Sequence, residues 1–295
     1  MADGEVAEAV SELFNRYGYG GAVIEESPGD GEQFIGQLPV SVRVKVFLPL
    51  NEEGRRKRRL LEEGLWHLSQ LYPLEPPQVR ELAEEDWAEA WKRHYGLQRI
   101  GERVVIVPSW QEYEQKEGEV PIRLDPGMAF GTGLHPTTRM SLMALERYIE
   151  KGMKVLDIGT GSGILAIAAA KMGAGFILGV DIDPVAVSVA EANVAANLLQ
   201  NLVKIRLGSM ENLPPSSFHL VLINISAEVI AGLAESLVAI LAPEGIVVGA
   251  GIIEKKEAEV EEKLSSSGLH ILERMQDRDW VTLVMRKGRG GSFAS

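Results

Sequence analysis

Seven residues near the middle of the chain, Asp157-Ile158-Gly159-Thr160-Gly161-Ser162-Gly163, carry its densest chemical signal. A strand that reads as buried, ending Val155-Leu156-Asp157-Ile158, runs into glycines, and an apolar helix starts at once with Ile164-Leu165. Positions without a side chain let the backbone turn sharply and approach a ligand closely. The helix N-terminus behind them offers unpaired N–H groups to a carboxylate or phosphate. Asp181 follows 20 residues after Gly161, at the end of the next apolar run, where its carboxylate could hold ribose hydroxyls.

Two cofactor classes use such an arrangement. Gly161-Ser162-Gly163-Ile164-Leu165-Ala166 satisfies the loose dinucleotide pattern G-x-G-x-x-A. S-adenosylmethionine would use the same loop and the same carboxylate, so the glycine motif alone leaves both open. Three details favour S-adenosylmethionine. Asp157 ends the strand just before the glycines, where it would attract a cationic amino acid moiety and repel a pyrophosphate. The glycines alternate as Gly159, Gly161 and Gly163 instead of following the dinucleotide spacing. Asp181-Ile182-Asp183-Pro184 holds no basic residue for a 2′-phosphate. The purely structural alternatives are a plain strand–helix turn and a helix N-cap at Asp183.

A second segment, Leu124-Asp125-Pro126-Gly127-Met128-Ala129-Phe130-Gly131-Thr132-Gly133-Leu134-His135-Pro136-Thr137-Thr138, is too rich in glycine for a strand and too apolar for a solvated linker. Phe130, set among small residues, could close over an adenine ring or a thioether. Thr137 and Thr138, just after Pro136, fit a first helical turn with hydroxyls aimed at a ligand. A third signal is Asn224, at the end of the apolar run Val221-Leu222-Ile223. In open parallel sheets ligands lie beyond the carboxyl ends of the strands, which would bring Asn224 to the reacting group. Asparagine at a strand end is otherwise a turn former.

The elements that must position these residues follow from periodicity. Strands are expected at 153–158, 176–181, 203–207, 218–224 and 245–250. They alternate with helices at 136–150, 163–173, 184–197, 226–241 and 255–267. Such alternation specifies a parallel sheet covered on both faces. Leu269–Arg274 and Trp280–Arg286, joined by the polar turn Gln276–Asp279, are of hairpin length, so the sheet should end in an antiparallel strand. Two short strands, Arg103–Val107 and Val120–Leu124, precede the second segment. Upstream, the pattern predicts a helix over 3–17, strands over 22–26 and 41–48, a charged helix over 54–71 and a third strand over 78–82. Together these make a small α+β domain over 1–84. Trp87 and Trp91, at i and i+4, mark a linker helix over 85–97, and 98–295 is the large domain.

Composition narrows the classes. A net charge of −12 with a pI near 5.0 argues against a ligand held through many phosphate contacts, and favours a basic protein partner. The absence of cysteine removes disulfides and thiolate metal sites, and the five histidines show no pair at ligand spacing, so no metal is expected. Without a signal-like or membrane-length apolar run, cytoplasm is the expectation. The basic run Arg55-Arg56-Lys57-Arg58-Arg59 reads first as a solvated helix face with i, i+4 partners, and second as a contact for RNA.

The glycine-rich segment 124–138 resembles the signature of the ribosomal protein L-eleven methyltransferases, bacterial enzymes that trimethylate a stalk-base ribosomal protein. The likeness covers nearly the whole chain. It includes Asp86-Trp87, Trp91-Lys92, Ile100-Gly101-Glu102-Arg103, Pro108-Ser109-Trp110, Leu156-Asp157, Ile167-Ala168-Ala169-Ala170-Lys171, Gly179-Val180-Asp181-Ile182-Asp183-Pro184 and Trp280-Val281. The resemblance implies a seven-stranded, Rossmann-like class I methyltransferase domain in the α/β class, a parallel sheet with one antiparallel strand. It also implies a small N-terminal domain that grips the substrate, and a mobile helical linker between the two. Cofactor contacts are implied at Thr138, Gly159, Asp181 and Asn224. The expected reaction moves methyl groups from S-adenosylmethionine to lysine and N-terminal amines of the ribosomal protein, with a monomeric enzyme and no sequence-specific nucleic acid.

Related methyltransferases that act on nucleic acid or glutamine resemble one another in an Asn/Asp-Pro-Pro-aromatic run after this strand. Here Asn224-Ile225-Ser226-Ala227 has neither prolines nor an aromatic residue, which favours an amine acceptor. The family usually reads Asn-Ile-Leu-Ala, so Ser226 is a departure. Asn224 is expected to orient the amine through its carbonyl oxygen without a strong base. His135, the nearby base by type, reads as a helix-start residue. The rival classes are an NAD-linked oxidoreductase, which lacks an accompanying acid/base constellation, and a non-catalytic binder on the same fold.

Overall fold

The computed structural model describes residues 10, 13–14, 17, 19–28, 40–48, 50–72, 74–80, 96–124, 135–211 and 213–288. They form two compact units, one up to Arg80 and one from Gly96.

In the first unit β1 (Tyr19–Pro28) pairs antiparallel with β2 (Val40–Phe47), and α1 (Glu52–Ser69) follows. Asn51 starts α1 by accepting the Gly54 N–H at 2.8 Å. Leu61, Leu65 and Leu68 lie on one stripe and pack with Val10, Phe14, Val44 and Val46. The basic run stays at the surface. Arg55, Arg56, Arg58 and Arg59 are exposed there, and Arg58 pairs with Glu62 one turn on at 2.7 Å. Val10, Leu13, Phe14 and Tyr17 are helical, and the rest of the helix expected over 3–17 lies outside the described residues. The strand expected over 78–82 is not found where it can be seen, since Gln78–Arg80 take no regular structure. Pro76 and Pro77 supply no N–H for a ladder, and Val79 is 58% exposed, so no apolar face is buried there. Residues 81–82 and the linker-helix residues 85–95 lie outside the described residues.

The second unit holds two sheets. Strands β3 (Gln98–Ile100), β4 (Val104–Val107) and β5 (Val120–Arg123) form the smaller one. Helix α2 (Pro136–Tyr148) leads to β6 (Lys154–Ile158), α3 (Ile164–Lys171), β7 (Phe176–Asp181), α4 (Pro184–Ala196), β8 (Val203–Leu207) and β9 (Phe218–Asn224). Then come α5 (Ala227–Gly232), α6 (Ala234–Ile240), β10 (Leu241–Ile253), α7 (Glu257–Ser266), β11 (Leu269–Asp277) and β12 (Trp280–Lys287). The large sheet runs β11-β12-β10-β9-β6-β7-β8. Its ladders are parallel except at β12, which lies antiparallel between β10 and β11. The turn expected over Gln276–Asp279 is only Arg278-Asp279, because Gln276 and Asp277 pair with Val281 and Trp280, and Arg278 lies in the left-handed region at φ 56°.

Side chains of this sheet alternate between two cores, as the pleat requires. Val155, Leu220, Leu222 and Val248 face one core with α2 and α3. Leu156, Val221, Ile223 and Val247 face the other with α5, α6 and α7. Three local expectations are revised. The stretch 226–241 is two helices, broken after Gly232, a poor helix former, at Leu233. The strand expected at 245–250 begins at Leu241, because Leu241 pairs with Phe218 before an irregularity at Pro243-Glu244. The short strand β3 went unpredicted, since three residues are too few to show a period.

The switch in strand order falls at β6. From it the chain steps to β7 and β8 on one side, then crosses to β9 on the other. A crevice at the carboxyl ends of β6, β7 and β9 follows from that order.

Candidate functional site

Of the residues singled out in sequence, Thr138, Gly159, Gly161, Gly163, Asp181 and Asn224 lie along this edge. Gly159, Gly161 and Gly163 all adopt left-handed backbone, with φ of 69°, 55° and 80°. This conformation strains any residue with a Cβ, which explains the alternation. Room is also lacking at Gly159, where a Cβ would stand 2.5 Å from Ile225 Cγ2. The loop is sewn to the neighbouring strand, as Gly159 and Thr160 both donate to the Val180 carbonyl, at 2.9 and 3.0 Å.

Asp181 ends β7, half-buried, and its two oxygens accept different backbone N–H groups. Oδ2 takes Gly161 N–H at 2.9 Å, and Oδ1 takes Asp183 N–H at 3.0 Å. A carboxylate has about four acceptor positions, so each oxygen keeps one for a hydroxyl. Beside it Ile182 is 79% exposed and Val185 50% exposed. Sequence reading passed over these two. The signal was available, since an apolar pair around Asp183-Pro184 sits where the strand has ended and no core can cover it. Asp183 itself is the N-cap of α4, accepting Val185 N–H at 2.8 Å.

Asp157 takes a different place from the one its position suggested. Its side chain is almost wholly enclosed, at 1% exposure, and accepts from Thr160 Oγ1 at 2.7 Å and from the Ala166 backbone N–H. Gly163, the N-cap of α3, has no side chain to cap with, and Asp157 reaches up from β6 to serve the first turn instead. Burial pushes its carboxyl up to about 6, against the pull of those hydrogen bonds and with a further push from Asp181. Its carboxylate therefore shapes the loop from beneath. Several amides expected to face a ligand are used internally too, with Gly163 N–H on the Thr160 carbonyl at 2.8 Å.

The side expected to face an acceptor is built by α2 and β9. His135 caps α2, its Nδ1 lying 2.8 Å from Thr137 Oγ1 and 3.4 Å from Thr137 N, while its ring meets Trp280 edge-on at 5.0 Å between centroids. This is the helix-start role read in sequence. Thr137 and Thr138 are buried in the first turn. Asn224 Nδ2 donates to Thr138 Oγ1 in a long bond of 3.4 Å, joining residues 86 apart in the chain. With the amide NH2 engaged there, Oδ1 has no partner among the described residues and remains an acceptor. Ser226 starts α5 exposed, without a side-chain cap bond. Phe130 lies outside the described residues, as does most of the segment it belongs to.

Of the other quoted runs, Ile100-Gly101-Glu102-Arg103 ties the small sheet to α2. Glu146 of α2 accepts three successive backbone N–H groups, from Glu102, Arg103 and Val104, at 2.8–2.9 Å. The turn Ile100-Gly101-Glu102-Arg103 thus wraps a carboxylate so closely that a Cβ at Gly101 would collide with it.

Comparison with known proteins agrees with this architecture. A family model described as ribosomal protein L11 methyltransferase (PrmA) matches residues 1–288. A ribosomal protein L11 methyltransferase from Chloroflexus aurantiacus is 46% identical, covering 97% of this chain and 95% of that one. One from Herpetosiphon aurantiacus is 41% identical, covering 97% and 96%. Among solved structures, a ribosomal protein L11 methylase from Lactobacillus delbrueckii subsp. bulgaricus aligns with a TM-score of 0.61 at 34% identity, over 65% of this chain and 100% of that one. The mixed seven-stranded sheet, the left-handed glycine loop and likeness along almost the full length have one reading: the chain belongs to the ribosomal protein L11 methyltransferase family, and so to the protein methyltransferases.

Proposed function

We propose that this protein transfers methyl groups from S-adenosylmethionine to lysine and N-terminal amines of ribosomal protein L11, up to three on each nitrogen. The observation that carries the acceptor side is the pairing of Asn224 with Thr138 at the carboxyl edge of the sheet, which leaves a carbonyl oxygen for an amine N–H. On the cofactor side, the residues suit an adenosyl group that bears an amino acid. Asp181 keeps acceptor positions for ribose hydroxyls, exposed Ile182 offers an apolar surface for a base, and the loop at Gly159, Gly161 and Gly163 presents no side chains. Thr138 and Phe130 complete the set of proposed contacts, with Asp157 acting through the loop.

When bound, S-adenosylmethionine supplies an electrophilic methyl on a positively charged sulfur. The chain's own residues align the acceptor and keep water away. A lysine amine, with an ordinary pKa of about 10.4, must lose its proton before its lone pair can attack. Removal from water beside a positive charge lowers that pKa, so the proton passes to solvent water as the amine enters and no strong base is needed. Asn224 Oδ1 then accepts an amine hydrogen and fixes the lone pair's direction. His135, committed to the start of α2, is left out of the proton transfer. The N-terminal unit is read as the part that grips the ribosomal protein, connected through a linker over 85–97, with the enzyme working as a cytoplasmic monomer.

Isothermal titration tests the cofactor: S-adenosylmethionine should bind and NAD should not, and the reverse would make the protein a dinucleotide enzyme. Radiolabelled methyl transfer to an extract from cells lacking the enzyme should label one small ribosomal protein. Asn224→Ala should lower kcat by about 100-fold with cofactor Kd unchanged. Full turnover in that variant would remove Asn224 from the mechanism.

A further inference from the structure

Strand β10 carries a bulge where it passes Asn224. Gly249 pairs with Leu283 of β12, but the next pairs are Ile252 with Val281, so β10 holds one residue more than its partner across Ala250-Gly251. On its other side Ala250 stands level with Asn224 of β9. The extra residue pushes the backbone at Gly251 toward the chain leaving β9, with φ at 84°. A Cβ at Gly251 would overlap the Ile225 carbonyl oxygen and stand 2.9 Å from its carbon and 3.1 Å from the Ile225 nitrogen. Those atoms are backbone and cannot swing aside. From the cofactor loop, the open Cα of Gly159 receives Ile225 Cγ2, which a Cβ there would meet at 2.5 Å.

Ile225 is therefore held twice, its peptide by Gly251 and its side chain by Gly159. The residue before it is Asn224, whose carboxamide has, among the described residues, only the 3.4 Å bond to Thr138 to orient it. A bond of that length is weak and leaves the group free to turn. Fixing the Ile225 peptide sets the backbone from which that carboxamide projects. We propose that Gly251 and Gly159 clamp Ile225 and so aim Asn224 at the acceptor amine, Gly251 and Ile225 serving as positioning residues. The clamp makes the acceptor end of β9 and the glycine loop of β6 one rigid body. This inference rests on the reading of Asn224 as the residue that orients the amine.

The test uses the full-length enzyme and side-chain amide resonances of Asn224, assigned by their loss in Asn224→Ala. Ile225→Ala removes the methyl that fills Gly159, and Ile225→Val restores a γ-carbon on the same branch. In the ligand-free protein the Asn224 NH2 signals should shift and broaden in Ile225→Ala and return in Ile225→Val. With them kcat should fall by about tenfold in the alanine variant and recover in the valine variant, while S-adenosylmethionine Kd by titration stays within about threefold. Gly251→Ala should produce the same displaced signals, and the Ile225 pair decides the matter if that variant does not fold. Asn224 signals unmoved by Ile225→Ala would overturn the clamp. Signals that move while kcat holds would uphold the clamp and refute the role given to Asn224, so the two failures are distinct.

Discussion

Asp157 is ionisable by type, yet fully enclosed between a strand and the loop it supports. Its carboxyl is pushed up to about 6 from an ordinary 3.8 by loss of water. Below pH 3.8 it is neutral in folded and unfolded chains alike. Between 3.8 and 6 the folded protein keeps a proton that the unfolded chain has released, so rising pH subtracts stability across that window. An asparagine in its place would keep one oxygen for the Ala166 N–H and would not titrate. The melting temperature of wild type should therefore fall relative to Asp157→Asn as pH rises from about 4 to about 7. A gap that stays constant over this range would mean that the carboxyl titrates as if exposed. The position of Asp157 beside the glycine loop was legible in sequence, while its part in holding that loop was not. Distance from a glycine loop is readable along a chain, and burial beneath it is not.

At the scale of elements, two helices reach out to hold the small sheet. Asn197, just past α4, accepts Arg123 N–H at 2.9 Å and donates to the Arg123 carbonyl at 2.7 Å, so its carboxamide imitates the next strand on the edge of β5. A third bond goes back to the Asn193 carbonyl at 2.9 Å, and the side chain is buried. Removing it leaves part-buried backbone groups unpaired, so Asn197→Ala should cost about 1–2 kcal/mol in urea unfolding with an unchanged m value. A loss below about 0.5 kcal/mol would show that water replaces the carboxamide there. The large sheet was readable because β6, β7, β9 and β10 are apolar runs bounded by glycine or polar residues and followed by a helical stretch. The small sheet was half readable. Gln98-Arg99-Ile100 has only one buried residue, and what makes it a strand is pairing with β4 across a turn organised by Glu146.

For the molecule as a whole, charge is the property that sequence states most directly. A net −12 should draw a basic substrate protein and speed its capture. Screening acts over about 8 Å at physiological ionic strength. Raising salt from about 50 to about 500 mM should lower kcat/KM for the ribosomal protein by about tenfold or more and leave kcat steady, because encounter is screened and the enclosed chemistry is not. A kcat/KM indifferent to salt would mean that the acidic surface takes no part in capture. The arginine face of α1 runs against this general charge, and its Arg58–Glu62 pair fits the plainer reading of a solvated helix face.

Local rules, acting over a few residues, determined much of this protein from sequence alone. The alternating glycines needed left-handed backbone, the strands needed alternating burial, and a polar turn closed the last hairpin. Tertiary structure decided the partnerships: Asp181 with the Gly161 amide, Asn224 with Thr138, Glu146 with the turn before β4, and Gly251 against Ile225. Each joins residues brought together by strand order and by the packing of helices onto the sheet. Spacing along a chain carries the period of a strand or helix, whereas contact between distant segments depends on which strands become neighbours and how closely their backbones approach.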